Sequence, residues 1–272
     1  MARTTLVTAV LLLGALLADC AAPKPRPAEP VRPDAGPVDD PDQADDCGEL
    51  GMDLPEMQRE LLCVVLHKAG LPKVFTTRWA HWPWRKDTWV VLAYGGEPKA
   101  LRNGHRPSGY KTNRLRVFAV DLSGETPRVV AASAREGIPL SPDDVAEFDD
   151  LKKYKLDERG GHAVAVRVVR ERRYEGGSAH LERLLAFRFE EKRLAPVLRT
   201  ILSYSTELEA GGGRDSQRGS ATVEVADSLT DGHYDWLKWS DGTAVRFVWK
   251  NGSYEADGED PLPESTDAEI FE

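Results

Sequence analysis

Asp241-Gly-Thr-Ala-Val-Arg-Phe-Val-Trp-Lys-Asn-Gly-Ser-Tyr254 is the stretch whose reading decides the fold. Val245, Phe247 and Trp249 alternate with Arg246, Val248 and Lys250, the period-two pattern of a strand with one face in a core. Asp241-Gly242 and Asn251-Gly252 bracket that strand. Both dipeptides supply the positive φ values of a tight type I′ turn, so each predicts a hairpin.

The same signals extend outward. Val164, Val166 and Val168 alternate, as do Val223 and Val225. Runs rich in β-branched and aromatic residues, bounded by Gly, Asp, Asn and Pro, predict strands at 88–94, 115–122, 128–132, 162–174, 184–190, 195–204, 220–226 and 244–249. Without a strand-helix rhythm, the expected fold is mainly β. It is an antiparallel meander closed as a sandwich, barrel or partial propeller, with an N-terminal helix and one short inserted helix. The N-terminal helix is expected at 54–69, with Asp53 as its cap and Gly70 and Pro72 at its end. The inserted one is signalled by Ser141-Pro142-Asp143-Asp144, with Val145, Phe148 and Leu151 as its inner face.

Before this domain the composition changes. Arg3, the apolar run from Leu6 to Leu17 and Ala18-Asp19-Cys20 form a leader. The run is too short for a bilayer core, which needs about 20 residues, and suits an export signal. Leu17-Ala18-Asp19-Cys20 resembles the lipobox of bacterial lipoprotein precursors, with Asp19 where that family has a small uncharged residue. The resemblance implies cleavage after residue 19, lipidation of Cys20 and a cell-envelope location, lipid-anchored at the outer membrane on its periplasmic face or the cell surface. The alternative is secretion after cleavage near Ala18 to Ala22.

Residues 20–53 carry Pro23, Pro25, Pro27, Pro30, Pro33, Pro37 and Pro41 and no aromatic side chain, so they lack the apolar surface that offsets ordering entropy. They are expected to be a tether, reaching as far as ~80 Å at the polyproline rise. Residues 54–256 form the expected globular domain and 257–272 an acidic tail. Of three cysteines, committing Cys20 to lipid leaves Cys47 and Cys63 as a candidate disulfide in an oxidising compartment. The other reading of Cys63, within Leu61-Leu62-Cys63-Val64, is a small buried hydrophobe.

The net charge of -9 is unevenly spread. Residues 21–53 hold nine carboxylates against Lys24, Arg26 and Arg32, and residues 251–272 hold eight with no Lys or Arg, leaving the body mildly basic. That balance is too weak for a nucleic-acid partner, and export argues against one. The expected partners are a membrane through the lipid anchor and an envelope polysaccharide or another envelope protein.

Four of the seven tryptophans fall between Trp79 and Trp89. Trp82 and Trp84, beside Pro83, are candidate ligand contacts, since an indole joins an apolar face to an N–H donor. The basic run from Gly95 to Arg114 adds Arg102 and Arg106 as candidates for anionic groups. Asp227-Ser-Leu-Thr-Asp231-Gly232-His-Tyr-Asp235 resembles the calcium loop of FG-GAP repeats and related dockerin-like loops. The resemblance implies a weak calcium site with Asp227, Asp231 and Asp235 as ligands, although Leu229 puts no oxygen at the third position. No other cofactor is expected.

The histidines fall at no zinc-protease or zinc-finger spacing, and no nucleophile elbow or phosphate loop is present. The expectation is a non-enzymatic binding or scaffolding β-domain. The alternatives are a cell-wall polymer hydrolase whose site forms only in the fold, and a calcium-stabilised structural module. A cleft gathering His162, His180 or His233 with carboxylates would mark the hydrolase, and exposed tryptophans at 82 and 84 the binder.

Overall fold

The computed structural model describes Val65 and residues 76–95, 113–210 and 213–262. All belong to one compact unit, Pro41–Glu272. The expectations for the leader, Cys20, the tether, Cys47, Cys63, Arg102 and Arg106 lie outside the described residues. So do those for the tail beyond Leu262 and the helix at 54–69 except Val65, which is helical and buried.

Fourteen strands follow in chain order: β1 (Thr76–His81), β2 (Thr88–Gly95), β3 (Asn113–Asp121), β4 (Arg128–Ala132), β5 (Ile138–Leu140), β6 (Asp144–Phe148), β7 (Val164–Tyr174), β8 (Gly177–Glu190), β9 (Arg193–Ala210), β10 (Gly213–Ser220), β11 (Thr222–Thr230), β12 (His233–Ser240), β13 (Thr243–Lys250) and β14 (Ser253–Ala256). They make two sheets. The larger runs β1-β2-β3-β4-β9-β8-β7-β6, with β10 added beside β9 and β5 beside β3. β6 comes back against β1 and β2, so this sheet is nearly a closed barrel. Its neighbours are antiparallel except at one place, where Ala132 meets Arg193 in parallel. The smaller sheet is the meander β11-β12-β13-β14.

Period two places the cores. Val164, Val166 and Val168 of β7, with Leu185 and Phe187 of β8, point into the barrel interior. The intervening Ala163, Ala165, Leu184 and Ala186 join a second core with Trp236, Phe247, Trp249 and Tyr254 of the smaller sheet. β7 and β8 are thus buried on both faces. β2 divides likewise, with Val90 and Leu92 inward and Val91 and Ala93 packed with Val65, Phe118 and Val120.

The expected hairpins form as read. Ser240 pairs with Thr243 across Asp241-Gly242, and Lys250 with Ser253 across Asn251-Gly252. All four turn residues have positive φ, between 49° and 91°.

The inserted helix does not form. After the turn at 141–143 the chain extends as β6 and pairs with β7, Asp144 opposite Arg170. Val145, expected to face inward, is 49% exposed, while Ala146 is buried. One local bond of a helix start is kept, the Ser141 N–H donating to Asp144 Oδ2 at 2.8 Å. Asp144 is nevertheless wanted elsewhere: its buried carboxylate pairs with Arg170 at 2.7 Å and Arg183 at 2.5 Å. A carboxylate buried between two guanidiniums outweighs a helical turn whose cost of loss is about 1 kcal/mol.

Candidate functional site

Two connections and the end of one strand build a cleft of about 260 Å³. The β1–β2 turn supplies Trp82, Trp84 and Arg85, the segment before β7 supplies Leu156, Asp157 and residues 159–162, and β8 supplies Arg188 and Phe189. The turn is closed by Trp82 N–H donating to Thr88 O at 2.8 Å and Arg85 N–H to Trp82 O at 3.1 Å. The second wall is shaped by an aspartate and two glycines. Asp157 Oδ1 accepts from the Gly161 N–H at 2.9 Å, and Gly160 has φ of 87°. A Cβ on Gly161 would stand 2.5 Å from Asp157 Oδ2, so only glycine lets this carboxylate fold over its own turn.

Trp84 is the exposed member, at 45%. Its indole N–H donates to Leu151 O at 2.9 Å, and one ring face lies on His162 with centroids 3.6 Å apart and planes 11° from parallel. His162 Nδ1 is 2.9 Å from Gly160 O, which only accepts, so Nδ1 carries the hydrogen and Nε2 keeps its lone pair. Burial, with Lys155 nearby, holds the His162 pKa below its ordinary value against the opposing pull of Gly160 O and Asp157. A second stack continues the cleft's edge. His233 lies on Trp249 at 4.0 Å and 10°, donates from Nδ1 to Asp231 O at 3.0 Å, and accepts at Nε2 from Arg188 Nη1 at 3.1 Å.

The electrostatics are one-sided. Arg85, Arg159 and Arg188 line the cleft with a single carboxylate, Asp157. Arg85 lies 3.7 Å over the Phe189 ring and 5.7 Å over Trp82. Neither Arg85 nor Arg159 has a carboxylate partner among the described residues. The expected exposure of Trp82 is what the structure corrects: it is 2% exposed and packs in the barrel core beside Phe189, because it follows directly on β1 with its ring turned inward. It still walls the cleft, and its buried Nε1–H has no acceptor among the described residues.

A second depression of about 230 Å³ is lined by Asp149, Tyr154, Arg167, Glu182 and Ser203 among others. Its charges are internally matched. Arg167 bridges Asp149 at 3.1 Å and Glu182 at 2.6 Å, and Tyr154 Oη donates to Asp149 Oδ2 at 2.6 Å. Burial and this carboxylate push the Tyr154 pKa up. Ser203, His180 and Glu171 stand in a row, with Ser203 Oγ 3.3 Å from His180 Nε2 and His180 Nδ1 3.8 Å from Glu171. Ser203 Oγ, however, donates to Glu182 Oε2 at 3.0 Å, and Glu171 is 70% exposed. Both contacts join residues directly opposite across strands, Glu171 with His180 and Glu182 with Ser203. These are cross-strand polar pairs.

The segment resembling a calcium loop is a hairpin. Asp231-Gly232 is its two-residue turn, with φ of 51° and 75°, joining Thr230 to His233. Asp227 is exposed on β11 near a bulge, and Asp231 is exposed at the turn. Asp235 is buried on β12, where Oδ2 accepts from Ser228 Oγ at 2.7 Å with Arg246 at 3.8 Å. The fold does not bring the three carboxylates together, and no cluster among the described residues is arranged to hold a metal ion. The same Asp-Gly pair serves a metal loop and a type I′ turn, and strand pairing on both sides selects the turn.

Missed by sequence reasoning were Arg85, Arg159, His162 and Arg188 as one set. They are 103 positions apart in the chain from Arg85 to Arg188, and no local pattern links them. No protein-family model, curated protein or solved structure matches the chain.

Proposed function

We propose that this chain is an envelope lipoprotein, anchored through Cys20 on its proline-rich tether, whose β-domain binds an envelope polysaccharide without transforming it. The leader and the lipobox-like residues support the anchor. The observation that carries the binding role is Trp84: a tryptophan 45% exposed, fixed by one hydrogen bond and one stack, at the mouth of a cleft. Sugar rings pack their C–H faces on such an indole, and a platform held in advance spends little entropy on binding. His162 shares the cleft with Asp157, but among the described residues neither His162 nor His233 hydrogen-bonds a carboxylate: His162 is bonded to Gly160 O, and His233 to Asp231 O and Arg188.

The test is retention of the full-length protein on isolated envelope polysaccharide. Trp84→Ala is expected to weaken retention about tenfold, the scale of one stacked ring, while Trp84→Phe, which keeps a ring, retains most of it. Unchanged retention for Trp84→Ala overturns the binding role. Mass spectrometry of membrane-extracted protein is expected to find an acylated Cys20 at the N-terminus, and an intact Met1 overturns the anchor.

A further inference from the structure

We propose that the cleft at Trp84 receives an anionic sugar, its carboxylate or phosphate oxygens held by Arg85, Arg159 and Arg188. This rests on the reading of the cleft as a glycan site and names the ligand's charge.

Two independent features of the cleft support it. The first is charge imbalance. Three guanidiniums line the cleft with one carboxylate, which is already engaged by the Gly161 N–H, and among the described residues only Arg188 has another within 4 Å, Glu190 at 3.9 Å. Guanidinium forks match paired oxyanion oxygens, and Arg85 is held by stacking on Phe189 with its donors not committed to any carboxylate among the described residues. The second depression is the contrast, because there Arg167 already bridges both lining carboxylates, Asp149 and Glu182.

The second feature is His162. With Nδ1–H given to Gly160 O, its Nε2 is an acceptor without a partner among the described residues, suited to a sugar hydroxyl. Burial and Lys155, by keeping this pKa low, preserve that lone pair. Donors for an anion beside one acceptor for a hydroxyl, under an aromatic platform, describe an acidic or phosphorylated sugar better than a bare ion.

Calorimetric titration of the full-length protein with glucose, glucuronic acid, glucose 6-phosphate and inorganic phosphate tests this. At least one of the two anionic sugars is expected to bind about tenfold or more tightly than glucose and than inorganic phosphate, the preferred one telling carboxylate from phosphate, with the advantage shrinking as salt rises. Arg159→Ala is expected to reduce that preference toward the glucose level without moving the melting temperature, since Arg159 is exposed and its side chain has no hydrogen bond, ion pair or ring contact with a described residue. If glucose binds as well as both anionic sugars, the charge assignment is overturned and the glycan site stands. If inorganic phosphate binds as tightly as glucose 6-phosphate, the sugar part of the assignment is overturned. If no sugar binds, both readings fall together.

Discussion

His162 is the residue through which pH should reach this molecule. Its folded-state pKa lies below the ordinary 6.5, chiefly through burial, so between the two values the unfolded chain binds a proton that the folded chain refuses. The contribution is therefore fully favourable above 6.5 and is lost as pH falls through that window. Urea unfolding between about pH 7.5 and about pH 5 is expected to show stability declining on the acid side, and His162→Gln to flatten part of that decline. The slope is the readout, because Gln also loses the stack on Trp84. Residue chemistry of this kind was only partly legible in advance. The tryptophans stood out by density, but whether position 82 or 84 meets solvent depends on which way each ring leaves the β1–β2 turn. Trp82 packs beside Phe189, more than a hundred positions away in the chain, and local sequence carries no trace of that neighbour.

At the scale of elements, β6 shows why local signals fail. Ser141 to Asp144 carries a helix-start pattern, and the Ser141 N–H does donate to the Asp144 carboxylate. The segment is still a strand, because pairing with β7 and burial of Asp144 against Arg170 and Arg183 are worth more than a short helix. Asp144→Ala removes the anion between two buried guanidiniums. It is expected to cost about 3–5 kcal/mol, measured by denaturant midpoint, whereas Val145→Thr on the exposed side of the same strand should change stability by about 0.5 kcal/mol or less. β12 was hidden for a related reason. Its first residues resemble a metal loop, and only its pairing with both β11 and β13 makes it a strand.

At the scale of the molecule, the two sheets are joined by shared apolar cores and by one buried cation. Lys238 of β12 is fully buried, with Nζ donating to Thr200 Oγ1 of β9 at 2.8 Å, to Asp260 at 2.6 and 2.8 Å, and to Leu262 O at 2.8 Å. It ties the smaller sheet to the barrel and to the segment after β14. Lys238→Ala is expected to lose about 3–5 kcal/mol in denaturant unfolding and to make residues 257–262 quickly cleaved by protease, while Lys238→Met, which keeps the volume, loses less.

Sequence alone determined what depends on near neighbours: the mainly β class, the type I′ turns at Asp241-Gly242 and Asn251-Gly252, and which residues of β7 and β13 share a face. Those follow from backbone sterics and a period of two, which act within a few residues. Only the tertiary structure decided that the large sheet curls until β6 returns to β1 and β2, that the Asp227–Asp235 segment is a hairpin, and that Arg85, Arg159, His162 and Arg188 surround one cleft. Each of these depends on groups far apart along the chain, where burial and strand pairing outweigh local preference, and such long-range energies leave no mark in any short stretch of sequence.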